Sequence, residues 1–292
     1  MKKITFIFAL LIGAASMNAQ ETVQDSTKQG WTRGGNLALT FNQSAFNNEW
    51  TYGGVGNMTG NILINYDMNY VKGDYIWDNK LIADYGVNKN DGADKFTKNN
   101  DRLELNSVAG KKAKGFWFYS AYLNARTQMD RAEDGSTHFF SPAYFQFGPG
   151  ILWKKSDNLN VNMSPAAAKL IVVHDEYTDV GDNQAAIDAF NEVTYFGVEA
   201  NKTTRFELGA SVRGYYKFNL MENISFENIL GLYSNYLEDP QNVDVDYTAN
   251  IVMSINKYIS TNLTFQAIYD DNANRNGFQI REAFGLGFNY KF

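Results

Sequence analysis

Apolar and polar positions alternate along most of this chain with a period of two. Over 278–292, Phe278, Ile280, Phe284, Leu286, Phe288, Tyr290 and Phe292 hold one parity, and Gln279, Arg281, Ala283, Gly285, Gly287, Asn289 and Lys291 hold the other. Successive side chains of a strand point to opposite faces, so this segment has one greasy face and one polar or small face. Glu282 is the one misfit, and it falls near the far end of the strand. The same pattern recurs around 58–70, 117–128, 205–218 and 243–255. Alternation sustained for ten or more residues is long for a globular strand and suits a tilted membrane strand.

Extending the reading along the chain predicts strands at 33–43, 55–70, 75–87, 99–111, 116–128, 142–154, 159–173, 204–218, 224–236, 242–255, 259–271 and 278–292. That is about twelve, an even number. Connections alternate in length. Tight turns fall at 71–74, 112–115, 155–158, 219–223 and 256–258, and longer links at 44–54, 88–98, 129–141, 174–203, 237–241 and 272–277. Short turns on one rim and long loops on the other are how membrane barrels are built. The fold expected is therefore all-β: a transmembrane, antiparallel, up-and-down β-barrel.

Aromatic residues fall where two girdles belong. Tyr70, Tyr75, Trp77, Phe116, Trp117, Trp153, Tyr216, Phe218, Tyr258, Tyr290 and Phe292 lie beside the short turns. Trp50, Tyr52, Tyr85, Phe139, Phe140, Tyr144, Tyr236, Tyr269 and Phe278 lie toward the long links. Amphipathic rings gather at membrane–water interfaces in this way.

The N-terminus adds an address. Lys2 and Lys3 precede an apolar run, Ile4 to Ala15, that falls short of the ~20 residues a spanning helix needs. Met17-Asn18-Ala19 resembles a signal-peptidase site. Residues 1–19 are read as a signal peptide, 20–32 as a periplasmic extension and 33–292 as the barrel. Location in a bacterial outer membrane follows, with both termini periplasmic. Its expected partners are outer-membrane lipid and lipopolysaccharide, and the barrel-insertion machinery, which the terminal Phe288, Tyr290 and Phe292 would address. The net charge of -6 argues against nucleic acid, and the absence of cysteine removes any disulfide framework.

The polar parity carries both signs. Lys80, Arg102, Arg126, Lys169, Arg213 and Arg281 are expected to face the lumen. So are Glu104, Glu207, Glu227, Asp244 and Asp246, with Asp67, Asp78 and Asp84 beside them. Such walls suit a narrow channel or binding barrel for a small polar solute, where charge sets selectivity. They equally suit a structural or surface-interaction barrel whose closed lumen is filled by ion pairs, since buried charges must be paired.

Catalytic chemistry has little to stand on. His138 lies in a link with Ser136, Thr137 and Ser141, and His174 opens the longest link near the rim of Asp270 and Asp271. A barrel lipase needs an oriented Ser–His set, and a rim peptidase of the omptin type needs Asp and His at a spacing absent here. No enzyme, cofactor or metal site is expected. The link 174–203 is acidic, with Asp175, Glu176, Asp179, Asp182, Asp188, Glu192 and Glu199 against Lys202, and 183–191 has a helical look. It shows no ordered metal-ligand pattern and reads as a solvated loop.

Several runs carry a family likeness. Trp31-Thr32-Arg33-Gly34-Gly35-Asn36, Tyr75-Ile76-Trp77-Asp78-Asn79-Lys80, Asp101-Arg102-Leu103-Glu104-Leu105-Asn106-Ser107 and, most specifically, Ser234-Asn235-Tyr236-Leu237-Glu238-Asp239-Pro240-Gln241-Asn242 resemble a Bacteroidetes-type outer-membrane β-barrel family catalogued as a domain of unknown function. The resemblance extends over nearly the whole chain after the signal. It implies the location and brings no activity or site residue with it.

Overall fold

The computed structural model describes residues 29–47, 54–132, 134–270, 272 and 277–292. The expected signal peptide, the extension up to residue 28, the rim residues Trp50 and Tyr52, and Asp271 lie outside the described residues.

Twelve strands form where the alternation predicts them. They are β1 (Gly30–Ser44), β2 (Asn57–Lys72), β3 (Tyr75–Asn90), β4 (Thr97–Lys114), β5 (Trp117–Thr127) and β6 (Ala143–Ser156), followed by β7 (Leu159–Val172), β8 (Thr204–Met221), β9 (Ile224–Asn235), β10 (Asp244–Ser254), β11 (Ile259–Tyr269) and β12 (Gln279–Lys291). Each pairs antiparallel with its sequence neighbours, and β1 pairs with β12, so the sheet closes with no free edge. The barrel begins at Gly30 rather than at the expected residue 33. The β1–β2 register runs on to Gly30↔Val71, and Trp31 packs on Tyr70 and Trp77 with ring centroids 5.0 and 5.6 Å apart. Rim packing, invisible to a periodicity reading, lengthens the strand.

Two of the short turns need a left-handed residue, supplied by Gly73 (φ 56) and Gly115 (φ 59). The closing seam is the shortest ladder. Six residue pairs join β1 to β12 against fifteen joining β1 to β2. Phe292 extends the seam, since its N–H donates to the Gly35 carbonyl (3.1 Å) and its carbonyl accepts from the Gly35 N–H (2.9 Å). The β6–β7 ladder is interrupted between Phe147 and Ile151. Pro149 and Pro165 sit in that interval with no N–H to give. Their carbonyls are satisfied instead by the hydroxyls of Ser164 (2.6 Å) and Tyr236 (3.1 Å).

The barrel is apolar outside and polar inside. Tyr119 is 68% exposed, Ile280 67% and Phe284 57%, whereas Glu207 is 1% exposed and Glu104 2%. The apolar core is correspondingly small. Tyr122, Ala167 and Tyr233 form one cluster inside the wall. Ile171, Val173 and Val198 form another, with Tyr144, Tyr195 and Phe196 packed against it. Tyr144 therefore points inward, not into the girdle expected of it. It shares the parity of buried Gln146, and the Arg126 guanidinium lies over its ring at 5.2 Å.

Candidate functional site: the lumen

Parity delivers the lumen's charges, and closure brings them together from across the ring. All eleven side chains expected to line the lumen turn inward. Nearest the short turns, the Lys154 ammonium reaches Asp78 (2.6 Å) and Asp157 (2.8 Å). The next tier holds Lys80, 3.3 Å from Asp67 and 3.9 Å from Glu227. Glu227 also accepts from the Tyr215 hydroxyl (2.8 Å) and the Asn250 amide (3.0 Å). At mid-height Glu104 is clasped by Arg102 and lies 3.3 Å from Arg213, with the Asn124 amide donating at 2.8 Å. Arg281 stands 3.9 Å from Asp84.

Toward the long loops the network tightens. Arg126 of β5 meets Asp246 of β10 at 2.5 Å. Lys169 lies 3.0 Å from Asp244, 3.4 Å from Glu207 and 3.8 Å from Asp270, while Arg205 holds the other oxygen of Glu207 at 2.8 Å. Lys169 and Glu207 are both buried. Desolvated charges of this kind persist only when paired. Lys169 and Glu207 are register neighbours on β7 and β8, whereas Arg126–Asp246 and Lys169–Asp244 join strands that are not adjacent.

Below the upper tier the lumen holds a cavity of about 840 Å³. It runs from the short-turn residues Asp157, Asn158, Asn256 and Lys257 up to Arg102, Asp84 and Arg281. Arg126, Lys169, Glu207, Asp244 and Asp246 are not among its walls. The sequence-predicted set thus divides in two: six residues border the cavity, and five lie beyond its walls toward the long loops.

The long link between β7 and β8 is a folded cap. It opens with a 3-10 turn, Asp175–Tyr177, and contains helix α1, Gln184–Val193. The side chain of Asn183 caps α1 by accepting from the Ala185 and Ala186 N–H groups. The link docks on residues 129–141. The Tyr195 hydroxyl donates to the Ser136 carbonyl (2.7 Å), Arg131 pairs with Glu176 (3.2 Å), and the His138 and His174 rings lie 4.9 Å apart. Burial, with Tyr177 beside it, pushes the Tyr195 phenol up to about 12. The meeting of the two histidines has no signal in the sequence, because it depends on how two links fold over one rim. Ser141 is buried and its Oγ accepts from the backbone N–H of His174 (2.8 Å). Among the described residues, no three His, Cys, Asp or Glu side chains converge as a metal site would require.

The family described as "Protein of unknown function (DUF3078)" matches residues 41–132, from the end of β1 through β5. The Ser234–Asn242 run lies outside that match. No characterised protein sequence matches the chain. Among solved structures, the chain is similar to the COG4313 outer membrane channel from Pseudomonas putida F1, with TM-score 0.39 and 10% identity over 94% of this chain and 98% of that one. It is also similar to the outer membrane channel DcaP of Acinetobacter baumannii, with TM-score 0.34 and 11% identity over 91% and 99%. The translocator domain of the autotransporter NalP from Neisseria meningitidis gives TM-score 0.33 and 10% identity over 99% and 97%.

Proposed function

We propose that this chain is an outer-membrane barrel that holds a small polar solute in the cavity at its short-turn end, with its lumen barred above by ion pairs. The membrane reading rests on the inverted surface. Large apolar side chains stand exposed around the wall, Leu39, Phe206, Ile151, Leu286 and Phe284 among them. Soluble monomers do not expose apolar area on that scale, whereas hydrocarbon covers it without cost. Both ends of the described barrel lie on the short-turn rim, since Gly30 pairs with Val71 and Lys291 with Asn36. That rim faces the periplasm in this reading, and the long loops face lipopolysaccharide and the exterior. Phe288, Tyr290 and Phe292, on the outer face of the last strand, are offered to the insertion machinery.

The observation that carries the solute-binding reading is the cavity's position beneath pairs that cross the ring. No hydrolytic role is assigned to His138 or His174, since the nearby Ser141 hydroxyl is buried and occupied by backbone.

Conductance in planar bilayers tests the barred lumen. The wild type is expected to give no steady steps. The double variant Arg126→Ala, Asp246→Ala removes one cross-lumen pair without orphaning either charge, and it is expected to leak more current than the wild type while Lys169–Asp244 and Lys80–Glu227 remain. Steady porin-sized steps from the wild type would overturn the reading.

A further inference from the structure

The cavity walls carry eight basic residues and six acidic ones. Each of the six carboxylates is held: Asp67 and Glu227 by Lys80, Asp78 and Asp157 by Lys154, Glu104 by Arg102 and Arg213, and Asp84 by Arg281. Those pairs engage five of the eight cations. The remaining three are Lys217, Lys257 and Lys291. Among the described residues, no carboxylate lies within 4.0 Å of their ammonium groups. Lys217 stands opposite Glu227 in register, but Glu227 is already engaged by Lys80, Tyr215 and Asn250. Lys257 lies over the Tyr258 ring at 4.7 Å, and Lys291 faces Asn36 across the seam.

All three cations without an ion pair within 4.0 Å stand toward one end. Lys257 is in the β10–β11 turn, Lys291 ends β12, and Lys217 lies in the last turn-proximal stretch of β8. The opposite end is acidic. The cap carries Asp175, Glu176, Asp179, Asp182 and Asp188, and the upper tier holds Asp244 and Asp270 around Lys169. An axial field of this sign draws anions to the short-turn mouth and repels them from the loop end. Thirteen asparagines also border the cavity, each with an amide that can donate and accept. Such walls suit a ligand with several hydroxyls more than an apolar one.

Resting on the solute-binding reading above, we infer that the cavity takes an anionic, polyhydroxylated small molecule of the sugar phosphate or sugar acid class, entering from the short-turn side, with Lys217, Lys257 and Lys291 receiving its charge.

Calorimetric titration of the full-length protein in detergent with glucose 6-phosphate, gluconate and glucose tests this. The two anions are expected to bind at least about tenfold more tightly than glucose. The triple variant Lys217→Gln, Lys257→Gln, Lys291→Gln is expected to lose that preference. Lys72→Gln with Lys114→Gln, a pair on the same rim outside the cavity walls, is expected to keep it. Raising the salt should weaken the anions and leave glucose unchanged. Glucose binding as tightly as its phosphate, or a triple variant that keeps the anion preference, would overturn the inference while leaving a solute-binding barrel in place. No binding by any of the three would remove both readings. Folding of the triple variant is checked independently by the slower gel mobility of the unfolded chain after boiling.

Discussion

Lys80 of β3 and Glu227 of β9 stand on strands six places apart in a ring of twelve, directly opposite each other, with their charged atoms 3.9 Å apart. Two side chains reaching from opposite walls therefore meet at this level. The pair is part of a ladder of contacts along the axis, through Glu104–Arg213 and Arg126–Asp246 to Lys169 and its carboxylates. The barrel interior is held from within by charge, as a soluble protein's core is held by apolar packing.

An arginine at Leu105 tests which face meets hydrocarbon. Leu105 lies at the centre of β4 on the outward parity, and Leu220 lies near the short-turn end of β8, also outward. Leu105→Arg is expected to cost about 2–4 kcal/mol of folding stability in liposomes, and Leu220→Arg about 0–1 kcal/mol. Urea unfolding of both variants reads the difference. Equal, near-zero costs would mean that water rather than lipid covers the wall.

Lys169 carries a different burden. Its ammonium is the shared cation of Glu207, Asp244 and Asp270, and Glu207 Oε2 has no hydrogen-bond partner among the described residues. Lys169→Met leaves Asp244 without its cation and Glu207 with Arg205 alone, and is expected to cost about 3–5 kcal/mol. Lys169→Arg keeps the charge and is expected to cost less. A loss below about 1 kcal/mol for Lys169→Met in the same unfolding assay would show that the upper tier is not held by this cation.

The strands and the facing of their side chains were legible because a period of two is written directly in residue identity. Every strand ends within three residues of its expected bound, and Lys80, Glu104, Glu207 and Arg281 face inward as their parity requires. What a linear pattern does not hold is position around the ring. Nothing local to Arg126 names Asp246, 120 residues away, as its partner. Their meeting depends on closure and on the stagger of twelve strands. Tyr144 departs from the expected girdle for a simpler reason. A tyrosine near a rim suits the girdle or the lumen equally well by type, and only its shared parity with Gln146 separates the two. The docking of α1 and its flanks over residues 129–141 was equally hidden, because a cap of this kind is specified by loop-to-loop contacts and not by periodicity.

That cap gives the last prediction, through Tyr195. Its ring stacks on Tyr177 with centroids 4.7 Å apart, and its hydroxyl donates to the Ser136 carbonyl across the two loops. Burial is the main reason its phenol is pushed up to about 12 from the ordinary 10.0. A raised pKa in the folded state means that folding favours the neutral, proton-donating phenol. The stabilisation is fully present below pH 10.0, declines as the pH rises from there, and is lost above about 12. Alkaline titration followed by tyrosinate absorbance should therefore lose one equivalent from its late phase in Tyr195→Phe. Protease sensitivity of the 174–203 link should rise over the same interval in the wild type. In Tyr195→Phe, which lacks the donated hydrogen bond, that sensitivity should be higher at neutral pH and change less across the interval. A wild-type link that is cut as readily at pH 8 as at pH 12 would show that the phenol does not fasten the cap.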